Sequence, residues 1–230
     1  MPSSTDSRAA ASRPQLTADR VVEAAAAVAD REGLHGVSMR RVGGELGVEA
    51  MSLYHHVAGK DALLDALADW LMVRVERPSP DGPWREAIAA RCRSLRAVMR
   101  DHPWGPALVE SRRAPGMTLL GHLEAVLECL HRGGFPVQLA AHAFSVLDAY
   151  VYGFVSTERS LPFEPGGGVD DLAAELALPA DVFPRMVELI EQAIVGRSYD
   201  YADEFEYGLE LVLDGLEARL GEGPAESVAR

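Results

Sequence analysis

Apolar residues recur at intervals of three and four along almost the whole chain, and no stretch alternates with period two for long, so the pattern predicts helices throughout. Thr17 is placed to cap a first helix with Asp19 in its first turn. Val21, Ala24, Ala25 and Val28 then make one apolar stripe, and Gly33 ends it. Ser38 can cap a short second helix, Met39 to Leu46, which Gly47 breaks; a third is expected over about Glu49 to His56, before Gly59. From Lys60 to about Val75 a long amphipathic helix follows, with Leu63, Leu64, Leu67, Leu71 and Val75 on one side, and Arg77 to Pro83 is too rich in Pro and Gly to continue it. Further helices are expected over Trp84 to about Arg100, around Ala107 to Arg113, and over Met117 to Arg132, Val137 to about Ser160, Ala180 to about Val195 and Asp203 to Leu220. Proline and glycine clusters separate them, and Leu161 to Val169 reads as a flexible loop whose glycines lack the strand and the Lys-Ser/Thr of a phosphate-binding loop.

The expectation is therefore an all-α chain of about nine or ten helices: a helix-turn-helix unit at 16–60 and a larger helical ligand-binding and dimerisation domain at 61–220, flanked by a disordered arm (1–15) and tail (221–230). With 48% hydrophobic, 25% charged and 7% aromatic residues, the composition is that of a globular protein rather than a disordered or membrane-embedded one. No apolar run reaches the roughly 18 residues of a membrane span and the first fifteen residues have no signal-peptide core, which points to the cytoplasm and to no membrane partner. Cys92 and Cys129 both fall inside helical patterns, where a thiol behaves as a small hydrophobe.

The net charge of −13 is unexpected for a chain that must approach phosphates, but it is unevenly placed. Up to Arg77 there are nine basic and eleven acidic residues; beyond it there are 13 and 24. Charge thus permits nucleic-acid binding by the N-terminal part without arguing for it. The argument lies in Met39 to His56. A helix-turn-helix needs two short helices, a tight turn and small residues at the crossing. Val42 and Leu46 face inward, Gly43 suits a close crossing, Gly47 makes the turn, and Val48 and Leu53 extend the core. Ala50, Met51, Ser52, Tyr54 and His55 are then outward and free to enter a major groove. The same pattern also suits a helical pair buried in a core.

The stretch Leu16 to Leu71 resembles the N-terminal domain of the tetracycline-repressor (TetR) family. The likeness is carried by Gly36-Val37-Ser38, by Arg40-x-Val-x-x-x-Leu-Gly-Val48, by Ser52-Leu-Tyr-His-His-Val57 and by Lys60-Asp61-x-Leu63-Leu64. The remainder is similar to the family's C-terminal domain at the Trp84 helix, His102-Pro103-Trp104, Gly133-Gly134-Phe135 and Gly208-Leu209 to Leu216-Glu217. The resemblance implies a homodimeric repressor that binds double-stranded operator DNA and responds to a small-molecule effector, with no cofactor and no enzymatic activity. By position, Arg40 matches an arginine that reads guanine, a task suited to its bidentate fork. Tyr54, His56 and Lys60 match phosphate-anchoring positions, and Ser38, Ala50, Met51, Ser52 and His55 complete the expected DNA-contacting set. Lys60 is the only lysine in the chain.

Arg91, Leu95, His102, Val109, Val126, Phe144 and Asp148 are the expected effector-contacting positions. Arg91 and Leu95 stand where tetracycline repressors hold an Asn and a Phe, and Val109 stands at the metal-binding His, so tetracycline chelation is not expected. An apolar effector, with an anionic group for Arg91, is. Gly44 departs from the family pattern without a physical account. Glu128 and His131 form one Glu-x-x-His pair, but di-iron bundles need two pairs and further carboxylates, so a solvated face is expected instead. His55 and His56 point about 100° apart and cannot readily share a metal. His102, beside two prolines and Trp104, reads more readily as a packed turn residue than as a ligand. Phe144, Tyr150, Tyr152 and Phe154 read as core or dimer interface. No nucleophile with a recognisable base is present; a helical-bundle enzyme or ligand carrier without DNA binding is the alternative, and a dimerisation module a third.

Overall fold

The computed structural model describes residues 15–112, 116–162, 168–196 and 199–222; the expected arm (1–14), most of the expected tail (223–230) and the centre of the glycine-rich loop lie outside the described residues. Among these there are eleven α-helices and no strand. They are α1 (Ala18–Glu32), α2 (Met39–Leu46), α3 (Ala50–Leu53), α4 (Lys60–Met72), α5 (Trp84–Asp101), α6 (Gly105–Ser111), α7 (Met117–Arg132), α8 (Val137–Ser160), α9 (Val169–Leu176), α10 (Pro184–Leu189) and α11 (Asp203–Gly221). Two compact units, Met1–Trp70 and Leu71–Arg230, meet inside α4, ten residues later than the expected boundary.

The N-terminal unit is built by local rules. Thr17 accepts from the Arg20 amide and Ser38 from the Arg41 amide, both at 3.3 Å, so both caps are as the sequence predicts. An alanine-rich face of α1 (Val21, Val22, Ala24, Ala25, Ala26, Val28, Ala29) is buried, and α1 packs on α2. Alanine there brings the backbones close at almost no side-chain entropy cost. The third helix is shorter than expected: it closes after Leu53, and Tyr54 to His56 continue as turns, with the Val57 amide reaching back to the Leu53 carbonyl at 2.9 Å. Likewise α4 stops at Met72, three residues early, where turn bonds from Arg74 and Val75 replace the helical ladder.

In the C-terminal unit α5, α7, α8 and α11 pack on one another around Ile88, Leu95, Met99, Val126, Leu130, Leu147, Val151, Phe205, Leu209 and Leu213, all 0% exposed. Each such side chain contributes roughly 1.5–3 kcal/mol of burial. Gly208 lets α11 lie against Tyr150, since a Cβ there would stand 2.3 Å from its hydroxyl oxygen; that hydroxyl donates to the Phe205 carbonyl at 2.9 Å. Much of the acidic excess is used here. Arg85 of α5 pairs with Glu210, Asp214 and Glu217, and Arg93 pairs with Glu206 at 2.7 Å. Arg96 pairs with Glu158 while lying over the rings of Phe154 and Phe205.

By length and mean hydropathy (1.2 over 18 residues), α8 is the one described helix that could cross a membrane. It is instead the central helix of this bundle, with Ala140, Ala143, Leu147, Val151, Phe154 and Val155 buried and Asp148 and Glu158 ion-paired. The sequence pattern missed α9. It also expected one helix over Ala180 to Val195, where α10 begins only at Pro184, a residue whose fixed φ suits a first turn, and widens into a π-type turn over Ile190–Ile194.

Candidate DNA-reading head and effector cavity

The reading head depends on two glycines. A Cβ on Gly43 would lie 2.9 Å from the Val48 carbonyl oxygen and 3.2 Å from the Ala50 nitrogen, so only glycine permits this approach of α2 to the start of α3. Gly47 ends α2 in the left-handed region (φ 66°, ψ 32°), a conformation that costs other residues about 1–2 kcal/mol. With the turn so fixed, Val42, Leu53 and Val57 are buried. Arg40, Met51, Tyr54, His55, His56 and Lys60 are exposed, Met51 by 73%, while Ser38, Ala50, Ser52 and Leu46 are half-buried. Gly44 is exposed with nothing within 4 Å of where a Cβ would be, so no close contact requires it.

Charge in the head is partitioned. Arg31 pairs with Glu45 at 2.6 Å and Arg41 with Glu32 at 3.3 Å. Arg40 and Lys60 make no ion pair among the described residues. An open groove of about 570 Å³ between α1 and α2 is lined by the paired Arg31, Glu45, Arg41 and Glu32, with Arg40 at its side. It is a polar surface feature, not an enclosed ligand site.

The second site is in the C-terminal unit, a partly open and more apolar cavity of about 230 Å³. Its apolar wall is Leu119, Leu120 and Leu123 of α7 with Met72, Val109 and Phe144; its polar end is Arg91, Asp148, His122 and Tyr152, and half-buried Arg112 also lines it. Arg91, 2% exposed, donates to Asp148 at 2.5 Å, and its guanidinium stands 5.9 Å from the Phe144 ring centroid. Burial opposes the Arg91 charge, but Asp148 outweighs it and the guanidinium is held above its ordinary value. Burial first, then the charges of Arg77 and Arg91, lowers the His122 imidazole to about 4 in spite of a hydrogen bond to the Met72 carbonyl. Burial, with Asp148 adding to it, pushes the Tyr152 hydroxyl up.

Of the expected effector positions, Arg91, Val109, Phe144 and Asp148 line this cavity. Three do not. Leu95 and Val126 are wholly taken up by the helix core, and His102 forms the turn between α5 and α6, its ring 5.5 Å from that of Trp104. The anion expected for Arg91 would meet a guanidinium that Asp148 already pairs. Phe144 and Tyr152 turn out to be cavity residues, whereas Tyr150 and Phe154 pack on Phe205 as core. The sequence reading missed His122, although a lone histidine among the leucines of α7 was its visible signal. Glu128 is paired with Arg132 at 2.7 Å on the surface of α7.

A glycine-crossed helix-turn-helix followed by a helical domain with a cavity among its helices is the arrangement of a DNA-binding transcriptional regulator. Residues 21–67 match the model of bacterial regulatory proteins of the tetR family, and residues 78–220 match the tetracyclin repressor-like C-terminal domain. The chain is 37% identical over 230 residues to the HTH-type transcriptional repressor DrrR1 of Streptomyces coeruleorubidus, covering 94% of this chain and 82% of that protein. It is 28% identical to the class A tetracycline repressor from Escherichia coli over 89% of this chain and 92% of that one. Its fold is similar to that of apo ActR from Streptomyces coelicolor, with a TM-score of 0.75 at 34% identity over 92% of this chain and 99% of that one. ActR has also been solved in complex with actinorhodin and with (S)-DNPA. This chain belongs to the TetR family of transcriptional regulators.

Proposed function

We propose that this regulator is a cytoplasmic homodimeric repressor that holds a two-fold symmetric operator and is released when a small molecule enters the cavity beside Arg91 and His122. The observation that carries the reading is the separation over residues 39–60: Met39, Val42, Leu53 and Val57 are buried, while Arg40, Met51, Tyr54, His56 and Lys60 are exposed, the two cations without ion pairs among the described residues. Arg40 reads a base and Lys60 anchors a phosphate; Met51, the most exposed side chain of α3, reaches a thymine methyl.

Dimerisation uses a face outside the helix core. The stripe Leu209, Leu213 and Leu216, with Phe205, is buried within the protomer. The exposed large apolar residues of the same helices are Val137 and Val146 on α8 and Tyr207 and Leu211 on α11; Val146, Tyr207 and Leu211 form the two-fold bundle. Two heads then demand half-sites about 34–36 Å apart or a multiple of that. Tetracycline with magnesium is not the effector, since Val109 offers no metal-coordinating atom. The test is operator affinity of Arg40→Ala against Lys60→Ala. The first should lose about 1–3 kcal/mol per half-site at one base pair, and the second should weaken all sequences and flatten the salt dependence by about one unit per subunit. Unchanged base preference in Arg40→Ala would overturn the assignment.

A further inference from the structure

Two buried polar atoms at the cavity's end have no hydrogen-bond partner among the described residues: Nδ1 of His122 and Nε of Arg91. Both side chains are 2% exposed and both line the cavity. Buried polar atoms are nearly always bonded, so two orphans facing one cavity mark where a ligand's polar group goes.

The remaining atoms of each residue define what that group is. His122 uses its other ring nitrogen to donate to the Met72 carbonyl; a neutral imidazole has one N–H, which leaves Nδ1 as a lone-pair acceptor. The depressed basicity keeps the ring in this form at neutral pH. Arg91 commits a terminal nitrogen to Asp148, and its Nε–H is a donor left over. An anion does not match the two orphan atoms: Asp148 has already cancelled the Arg91 charge, an ionised oxygen has no proton to give Nδ1, and Arg112, the other cation lining the cavity, carries neither orphan. An ether satisfies Nε–H alone. A neutral hydroxyl satisfies both atoms, and the leucine and Phe144 wall suits a ring system behind it.

Resting on the reading of this cavity as the effector site, we propose that it recognises an uncharged, apolar ring compound through a hydroxyl that donates to His122 Nδ1, while its oxygen or an adjoining carbonyl accepts from Arg91 Nε–H. The same imidazole bonds the carbonyl of Met72, the last residue of α4. A donor on Nδ1 makes the opposite N–H a stronger donor, so the hydroxyl tightens the hold on the end of α4 through a single ring.

The experiment titrates the full chain with 2-naphthol and with 2-methoxynaphthalene, two-ring compounds suited to a small cavity that differ only in the donor. Wild type should favour the naphthol at least about fivefold, the scale of one hydrogen bond to a buried partner. His122→Phe should bind both alike and hold the ether within about twofold of wild type. Arg91→Lys, which keeps a cation opposite Asp148 but lacks Nε–H, should lower the preference. With ¹⁵N-labelled histidine, the naphthol and not the ether should move the Nδ1 resonance of His122, a readout that needs no variant. Equal affinity for the two compounds, binding of neither, a preference that survives His122→Phe, or a static Nδ1 resonance overturns the proposal. Duplex binding of the ligand-free protein is measured in parallel; its absence would contradict the regulator reading while leaving the hydroxyl result to stand by itself.

Discussion

The N-terminal head and the C-terminal body use charge in opposite ways. In the head, the ion pairs are exposed (Arg31 52%, Glu45 36%) and two further cations are left over for a partner. In the body, Arg91 is 2% exposed and Asp148 15%, and the pair is enclosed with a cavity at its side. Exposed pairs are screened and contribute little; an enclosed pair punishes the loss of either member, because the survivor is left charged and dry. A surface that must give up its cations to DNA cannot bind them tightly to itself, and a cavity that must present fixed donors and acceptors cannot leave its charges loose.

The largest expected effect breaks that enclosed pair. Asp148→Ala should cost about 3–5 kcal/mol in chemical denaturation by stranding Arg91, whereas Glu45→Ala in the head should leave the midpoint within error. Comparable losses in the two variants would erase the contrast.

His122 sharpens it through pH. Its folded value, about 4, lies below the ordinary 6.5, so the unfolded chain binds the extra proton between those limits. Stability therefore rises with pH across that window and is lost as pH falls from about 6.5 to 4, by of order 2–3 kcal/mol. His122→Phe should remove this component from the stability profile; an unaltered slope would mean that the ring is solvated.

The smallest effects come from adjacent glycines of α2. Gly43→Ala drives a Cβ against the Val48 carbonyl and should destabilise the head by about 1–3 kcal/mol. Gly44→Ala meets nothing and should stabilise it by about 1 kcal/mol through helix propensity. Thermal unfolding of the two variants should move in opposite directions.

The same two regions explain how much was legible in the sequence. Caps at Thr17 and Ser38, the left-handed Gly47 and the small Gly43 act within a few residues of themselves, and the family motifs lie in that stretch, so the head could be read almost residue by residue. Only the end of α3 was misplaced, where turns succeed a single helical turn. The cavity is assembled from α4, α5, α6, α7 and α8, and which face of each helix turns inward is set by packing across long sequence separations. A gapless reading therefore found Arg91 and Val109 but gave Leu95, one helical turn beyond Arg91, a role that the core had claimed. Asp148 was named as a cavity residue without its consequence, that it neutralises Arg91.

The central claim is that the head reads DNA as one of a symmetric pair, and the most direct measurement is selection from a pool of random duplexes by the full chain. The account predicts enrichment of an inverted repeat whose half-sites lie about one helical turn, 10–10.5 base pairs, or a multiple of it apart. It also predicts that Arg40→Ala selects the same repeat with one guanine position in each half relaxed. Enrichment of no sequence, or of a single asymmetric site unaffected by Arg40→Ala, would contradict it.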